Sequence, residues 1–543
     1  MYPFLIKVRN LVIGFFILLF IVGALIYKDY GISWDEQVSR NNGFVNGNYI
    51  AKKILPNNFY ENFLQNTLKD KFPKKTIDEV PILDERHDKA YGVTFDLPSA
   101  ALEILLNIKE NNIFDFRHIL AHTFFLFALI FFYKLIKLKT KNVLISLSCV
   151  LFIYLHPRLF AHSFFNSKDL FFLSVFLISY YSGYKFLKDQ RTINVIIFSS
   201  ISGFLTATKI YGLTIIFLFL FLFLSKKIIE KDFYLKREIK IFFQIIFFWI
   251  VFTFIFWPFL WENPINNFIE TFKFMSNHIW YGKNLFLGER IPSNNLPLYY
   301  VPLWFLITTP IIYIFIFLIS IIFFILSLTK RNILKINNFI FFESIILILY
   351  LVFPIVFSYF KNSTIYDGWR HFYFLYPVFV LLLANFILEI KNKTLYYSLI
   401  FIILSNFVFI IYNMISIHPN QHLYFNNILG KQTIRKFEKD YWAVSNKILI
   451  NKVLELNKTK DIIYYDFRGS PLKHLSLKYF NKKEKNKFIH IDDVNNFSGK
   501  YYMFVLSRWG LKLNQYYKTN KDIVFEIKYD GIPVNGVYIN EKK

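Results

Sequence analysis

Soon after the first apolar run the chain reads Gly31-Ile-Ser-Trp34-Asp35-Glu36-Gln37. Two adjacent carboxylates lie beside a tryptophan at a membrane boundary. A carboxylate in such a place can take a proton from a hydroxyl, as a general base does. A second polar segment, His156-Pro-Arg158-Leu-Phe-Ala-His162-Ser-Phe-Phe-Asn166-Ser-Lys168-Asp169, lies between two apolar runs. Asp169 opens the second of them, where an acid also suits the helix dipole. His156 and His162 lack the i, i+4 spacing of a helical metal site, so no metal is assigned, although a divalent ion is left open.

Three further cations sit in short polar turns. Arg158 belongs to the segment above, Lys209 to Thr206-Ala-Thr-Lys-Ile-Tyr-Gly212, and Arg370, with His371, to Tyr366-Asp-Gly-Trp-Arg-His-Phe-Tyr. Snorkelling to headgroups is one account of such residues. The other is phosphate: arginine binds it through a planar fork and lysine as a point charge. Acids and cations gathered at one membrane surface describe a site for an anionic lipid that presents a leaving group. Residues 258–298 are rich in rings, among them Trp261, His278 and Trp280. Such rings anchor at interfaces, and their faces also stack on sugars.

These residues need elements to hold them. The chain has 543 residues, 55% hydrophobic, 21% aromatic and 18% charged, with 69 Phe. A soluble protein carries about 25% charge, and the apolar residues here cluster in runs of about 15–25. That is a polytopic helical membrane protein. The single cysteine, Cys149, excludes an intramolecular disulfide and a cysteine zinc site. The net charge of +26 fixes topology and meets anionic membrane lipids. No basic stripe on a soluble module points to nucleic acid.

The periodicity predicts eleven spans, near 11–27, 117–136, 142–156, 170–187, 192–207, 213–225, 241–257, 299–328, 338–358, 372–390 and 395–415. The first follows Lys7 and Arg9, lacks a small-residue cleavage site, and reads as an uncleaved helix. One set of short loops holds 20 lysines and arginines and the alternate set holds 5. The rich set is cytoplasmic by the positive-inside rule. The N-terminus is then inside, the C-terminus outside, and 28–116, 258–298 and 418–543 all lie on the outer face. Residues 1–417 form the membrane domain. The tail 418–543 reads as a small α/β domain, with strands at Ile462–Tyr465, Phe488–Ile491, Tyr501–Leu506 and Ile523–Ile527 and helices at Asn446–Leu456 and Pro471–Phe480.

Trp34-Asp35-Glu36 after the first helix resembles the acidic motif of the GT-C membrane glycosyltransferases, most of all family 39, the protein O-mannosyltransferases and their bacterial aminoarabinose transferase relatives. Other segments resemble that family in order: His156-Pro-Arg158 through Asp169, Ala207-Thr-Lys209, Trp257-Pro-Phe-Leu-Trp261-Glu-Asn-Pro264, Thr308-Thr-Pro310, Gly368-Trp-Arg370-His371-Phe, Tyr424-Phe-Asn-Asn and Asp440-Tyr-Trp442. The likeness covers most of residues 1–445.

The resemblance implies an inverting transferase in the plasma (inner) membrane, working on the outer face with a polyprenyl-phosphate sugar as donor. It implies Asp35 as the base, with Glu36 and Asp169 beside it in the catalytic set. Arg158, Lys209, Arg370 and His371 would hold the donor phosphate, and Trp34, Trp261, His278 and Trp280 the sugar. The acceptor class is a glycan, lipid or protein. Two other readings fit the same charges: a transporter or flippase for a lipid-linked sugar, and a polysaccharide ligase or polymerase using a diphospho-lipid. A transporter would place ionisable groups near mid-span, and here they gather at one surface.

Overall fold

The computed structural model describes residues 2–63, 83, 86–276, 280, 282–334, 337–458, 461–467, 472–473, 475–494, 497–506, 508 and 522–542. His278 lies outside the described residues. In chain order the helices are α1 (Tyr2–Ile26), α2 (Glu36–Ile54), α3 (Asn57–Phe63), α4 (Asp96–Leu105), α5 (Ile113–Thr140), α6 (Val143–Tyr154), α7 (Pro157–Phe165), α8 (Asp169–Lys188) and α9 (Thr192–Thr208). Then come α10 (Leu213–Ile229), α11 (Leu235–Phe256), α12 (Pro264–Ser276), α13 (Tyr300–Thr308), α14 (Ile311–Leu334), α15 (Asn338–Phe360), α16 (Tyr376–Glu389) and α17 (Lys393–Ser416). Among the described residues nine helices are long and apolar enough to cross a membrane, so this is a multi-pass membrane protein.

Eleven expected spans become nine long helices, one short one and one broken pair. The apolar helix Thr192–Thr208 has 17 residues. The run expected at 142–156 is α6, and the chain then bends by 68° into α7. Proline is the reason. A residue before proline is pushed out of the helical region, and His156 has φ −71° and ψ 113°. The single span expected at 299–328 breaks in the same way. Thr309, ahead of Pro310, is extended at φ −100° and ψ 140° and separates α13 from α14. The carbonyls freed at that break find a partner in the tail: Asn426 Nδ2 donates to Leu306 O and to Thr309 O, both at 2.6 Å.

The two innermost spans are α8 and the segment Arg370–Glu389, each 83% buried against 11% for α1. Their first residues are Asp169 and Arg370, so both side chains stand at helix starts in the centre of the bundle. At the other end Lys139 Nζ pairs with Glu343 Oε2 at 2.5 Å. Tyr180 and Asn385 donate to the same carboxylate at 3.3 and 3.2 Å, which ties α5, α8, α15 and α16 together.

Among the described residues, the segment expected as a loop at 28–116 is largely helical. Arg40 pairs with Glu103 at 2.8 Å, and Arg117 with Glu103 at 3.0 Å and Asp96 at 2.7 Å, all buried. Four mutually satisfied charges thus pin α2 and α4 to the top of α5, since each would be costly to bury alone. Gly43 permits the contact, because a Cβ there would lie 2.3 Å from Asp96 O.

Residues 283–292 form a hairpin of β1 (Lys283–Phe286) and β2 (Glu289–Pro292). The tail carries α18 (Asn446–Leu456), the short helix α19 (Lys482–Lys485) and five strands: β3 (Ile462–Phe467), β4 (Phe488–His490), β5 (Gly499–Leu506), β6 (Asp522–Tyr529) and β7 (Ile532–Lys542). The sheet order is β4-β3-β5-β7-β6. β3 runs parallel to both β4 and β5, whereas β7 runs antiparallel to β5 and β6. The sequence reading lacked β7. It also read Pro471–Phe480 as helical, where the described residues hold only the 3₁₀ turn Ser476–Tyr479. Apolar side chains from α18, such as Leu449 and Val453, pack on Ile462, Tyr464 and Phe504 of the sheet.

Candidate functional site

Asp35, Asp169, Lys209, Arg370 and His371 line one cavity of about 110 Å³, with Tyr91, Lys168 and Tyr366. Each of the five stands where a helix begins or ends. Asp35 precedes α2, Asp169 opens α8, Lys209 follows α9, and Arg370 begins the turn Arg370–Leu375 that leads into α16. Helix ends at one level of a bundle converge although their residues are far apart in sequence.

A chain of ion pairs joins these groups. Lys209 Nζ pairs with Asp169 Oδ1. Arg370 Nη1 reaches Asp169 Oδ2 at 2.9 Å, and its Nη2 reaches Asp367 Oδ2 at 3.3 Å and Asp35 Oδ2 at 3.7 Å. Asp367 in turn accepts from Arg508 Nη2 at 2.6 Å. Arg508 Nε lies 3.7 Å from Glu438. Asn166 completes Asp169: its Nδ2 donates to the carboxylate at 3.0 Å, and its Oδ1 accepts the Asp169 N–H at 2.8 Å.

The carboxylates differ in what they can do. The side chains of Asp169, Asp367 and Glu438 are 1%, 4% and 0% exposed, and that of Asp35 is 35% exposed. Asp169 is held between two cations and serves to place them. Asp35 keeps a face open to the cavity, at the longest of its three distances from Arg370. Glu36 turns the other way. It is buried, accepts the Ser33 N–H at 2.6 Å and meets His118 Nε2 at 2.9 Å. One residue of sequence therefore separates a carboxylate on the cavity from one inside the protein.

Burial and charge act together on these groups. Burial lowers the Lys209 ammonium below the usual lysine range, with Asp169 pulling it back. Burial raises the Asp367 carboxyl against the pull of Arg508 and Arg370. Glu438 is raised to about 8 by burial, again against Arg508. The Tyr91 hydroxyl is raised by burial, and Asp35 adds to it.

The remaining expected residues lie elsewhere. Arg158 is buried in α7, where its Nε donates to Tyr424 O at 3.0 Å. Its guanidinium covers the rings of Trp304 and Phe425 at 5.3 and 4.7 Å, so the structure does not bring it to the cavity. Trp34 donates its N–H to Trp442 O at 3.1 Å and leaves its side chain exposed. Trp261 Nε1 donates to Phe254 O at 2.8 Å, beside Tyr49. Trp280 touches the cavity wall through Tyr366, on which it stacks at 4.7 Å. His156 Nε2 meets Thr309 Oγ1 at 3.4 Å, and His162 Nδ1 meets Asn166 Nδ2 at 3.1 Å. Among the described residues no group of three or more His, Cys, Asp or Glu is set to hold a metal ion.

Asp367, Glu438, Arg508, Tyr91 and Lys168 were not singled out from sequence. Asp367 carried a legible signal. Asp-Gly marks a tight turn, and Asp367 and Gly368 have φ +60° and +72°, which returns the carboxylate to Arg370. Arg508, a long way along the chain, carried none.

A second cavity adjoins the first. It holds about 760 Å³ and is lined almost wholly by apolar side chains of α13, α14, α15 and the segment 369–379. Phe372 lines both cavities.

No family model matches the chain, and no curated protein does. Among solved structures the chain is similar to ArnT from Cupriavidus metallidurans, in a crystal structure with undecaprenyl phosphate bound. The match covers 97% of each chain at 9% identity and a TM-score of 0.41. So distant a likeness carries no argument about activity.

Proposed function

We propose that this protein is an integral membrane glycosyltransferase that moves a sugar from a polyprenyl-phosphate donor to an acceptor hydroxyl on the outer face of the plasma membrane. One observation carries the reading: an open carboxylate, a buried arginine and a partly buried lysine share a cavity that borders an apolar cleft of about 760 Å³. A lipid tail fits the cleft, and its phosphate then meets Lys209 and Arg370. The acceptor hydroxyl attacks the anomeric carbon from the side opposite the phosphate and inverts it. Its proton passes to Asp35. The bond from the anomeric carbon to the phosphate oxygen breaks, and the electron pair leaves with the lipid phosphate. Lys209 and Arg370 stabilise the charge that develops there, as fixed cations do in a water-poor site. His371 lines the same wall and faces the donor. Trp280 supports Tyr366, whose ring borders the space for the sugar. In this topology the N-terminus is cytoplasmic and the tail domain lies outside.

The test is transfer by the purified full-length protein in lipid nanodiscs, supplied in turn with polyprenyl-phosphate sugars and with extracted envelope glycans, lipids and proteins. Sugar joined to one acceptor class with inverted anomeric configuration is the expected result. Movement of the intact donor across a vesicle membrane with no transfer would overturn the proposal in favour of a flippase. Use of a diphospho-lipid donor alone would point to a ligase or polymerase.

A further inference from the structure

Guanidinium groups and rings lie in four successive layers at the rim of the cavity. The Arg370 guanidinium is 4.8 Å from the Tyr366 ring centroid. Tyr366 and Trp280 stack at 4.7 Å with 18° between their planes. The Arg508 guanidinium lies 5.5 Å from the Trp280 ring. Asp367 spans the outer layers, accepting from Arg508 Nη2 at 2.6 Å and standing 3.3 Å from Arg370 Nη2. Trp442 Nε1 donates to the same carboxylate at 3.3 Å.

Arg508 stands two residues past the end of β5, and its carbonyl accepts the Lys439 N–H at 3.3 Å. Its side chain is 16% exposed. The α/β domain therefore sends one cation into a network otherwise built by the membrane bundle and the chain just before the tail's first helix.

The position matters because Arg370 faces three carboxylates: Asp35, Asp169 and Asp367. A cation so fully neutralised attracts an incoming anion weakly. Asp367 is nearer to Arg508 than to Arg370, by 2.6 against 3.3 Å. The bidentate fork and flat face of arginine suit this place, since one group must meet a carboxylate and cover a ring. We infer that Arg508 is a positioning residue for lipid-phosphate binding: it takes the larger share of Asp367, so that less of the Arg370 charge is neutralised and Arg370 can engage an anion once the α/β domain is docked. This rests on the proposed function, because the anion is taken to be the donor phosphate.

The experiment measures binding of undecaprenyl phosphate, and of phosphate-free undecaprenol as reference, to the full-length protein in nanodiscs. Arg508→Ala is expected to weaken phosphate-lipid binding about tenfold, within the range of couplings between contacting charges. Arg508→Ala combined with Asp367→Asn is expected to regain most of that loss, because the carboxylate that would collapse onto Arg370 is gone. A merely structural role for Arg508 would give no such rescue. Where Arg508→Ala does not yield folded protein, Arg508→Lys is read in its place, with a smaller loss and the same rescue. Wild-type binding of undecaprenyl phosphate no tighter than of undecaprenol would sink the proposed function itself. Discrimination by the wild type together with unchanged binding by the Arg508 variants, or a loss that Asp367→Asn fails to rescue, would overturn the role of Arg508 alone.

Discussion

Asp35→Asn should move two quantities in opposite directions. The substitution keeps the shape of the side chain and removes both its charge and its power to accept a proton. Transfer should then fall by about 10²–10⁴-fold, the usual worth of a positioned general base. Donor binding should not fall with it. Asp35 lies 3.7 Å from Arg370, and at an effective dielectric of about 20 that pair is worth roughly 4–5 kcal/mol of Coulomb energy. Its side chain is 35% exposed, so solvent screening reduces the figure to about 1 kcal/mol. Loss of this competing carboxylate should tighten binding of a phosphate lipid by about fivefold. The assay pairs single-turnover transfer with equilibrium binding of undecaprenyl phosphate on the same nanodisc preparation. Transfer at the wild-type rate would refute Asp35 as the base. Slow transfer with equally weakened binding would show that the carboxylate organises the donor site.

Glu36→Gln should lower thermal stability in detergent by about 1–3 kcal/mol, because the buried Glu36 satisfies Ser33 and His118. The protein that remains folded should turn over normally, which separates Glu36 from its neighbour. On the proposed reading Lys209→Met should weaken donor binding and slow turnover together, since it removes one of the two cations assigned to the phosphate; unchanged binding would remove Lys209 from the phosphate site. The raised Glu438 carboxyl, at about 8, gives a pH dependence. A buried acid that prefers its proton supports the folded state below its unfolded value of about 4.3 and withdraws that support as pH rises through 8. Melting temperature should therefore drop between pH 5 and pH 9, and Glu438→Gln should flatten the drop. A reporter fused to the C-terminus should be active only outside the cytoplasm, and cytoplasmic activity would invert the topology.

Much of the membrane architecture was legible because it depends on local physics. Apolar length marks a span, and a proline after an extended residue marks a break. His156-Pro157 and Thr309-Pro310 were both visible, yet their effect was not, since hydropathy averages over a window and passes across a bend. Asp35, Asp169, Lys209 and Arg370 were found as cavity neighbours for a simple reason. Alternating spans return the chain to the same surface, so polar residues at those ends meet. Arg158 met the same criterion and went elsewhere. It lies one residue inside α7, after the bend, and its direction follows from a break whose angle no sequence pattern supplies. Arg508 was beyond reach for the opposite reason: the tail's docking is tertiary, made by contacts such as Asn426 on the carbonyls of Leu306 and Thr309 at the break after α13.

The apolar cleft between α14, α15 and the segment 369–379 bears on how such a protein meets its substrate. A ligand that enters there comes sideways, already dissolved in the bilayer, and never crosses bulk water. The concentration that governs occupancy is then the mole fraction of ligand among all lipids. Adding inert lipid or detergent at fixed protein and ligand should slow the reaction, as dilution on a surface does. Diluting the whole suspension with buffer should leave the rate per protein unchanged. Competitors would rank by how well they partition and fit the cleft, so that other long-chain lipids, at their natural abundance, set the working affinity.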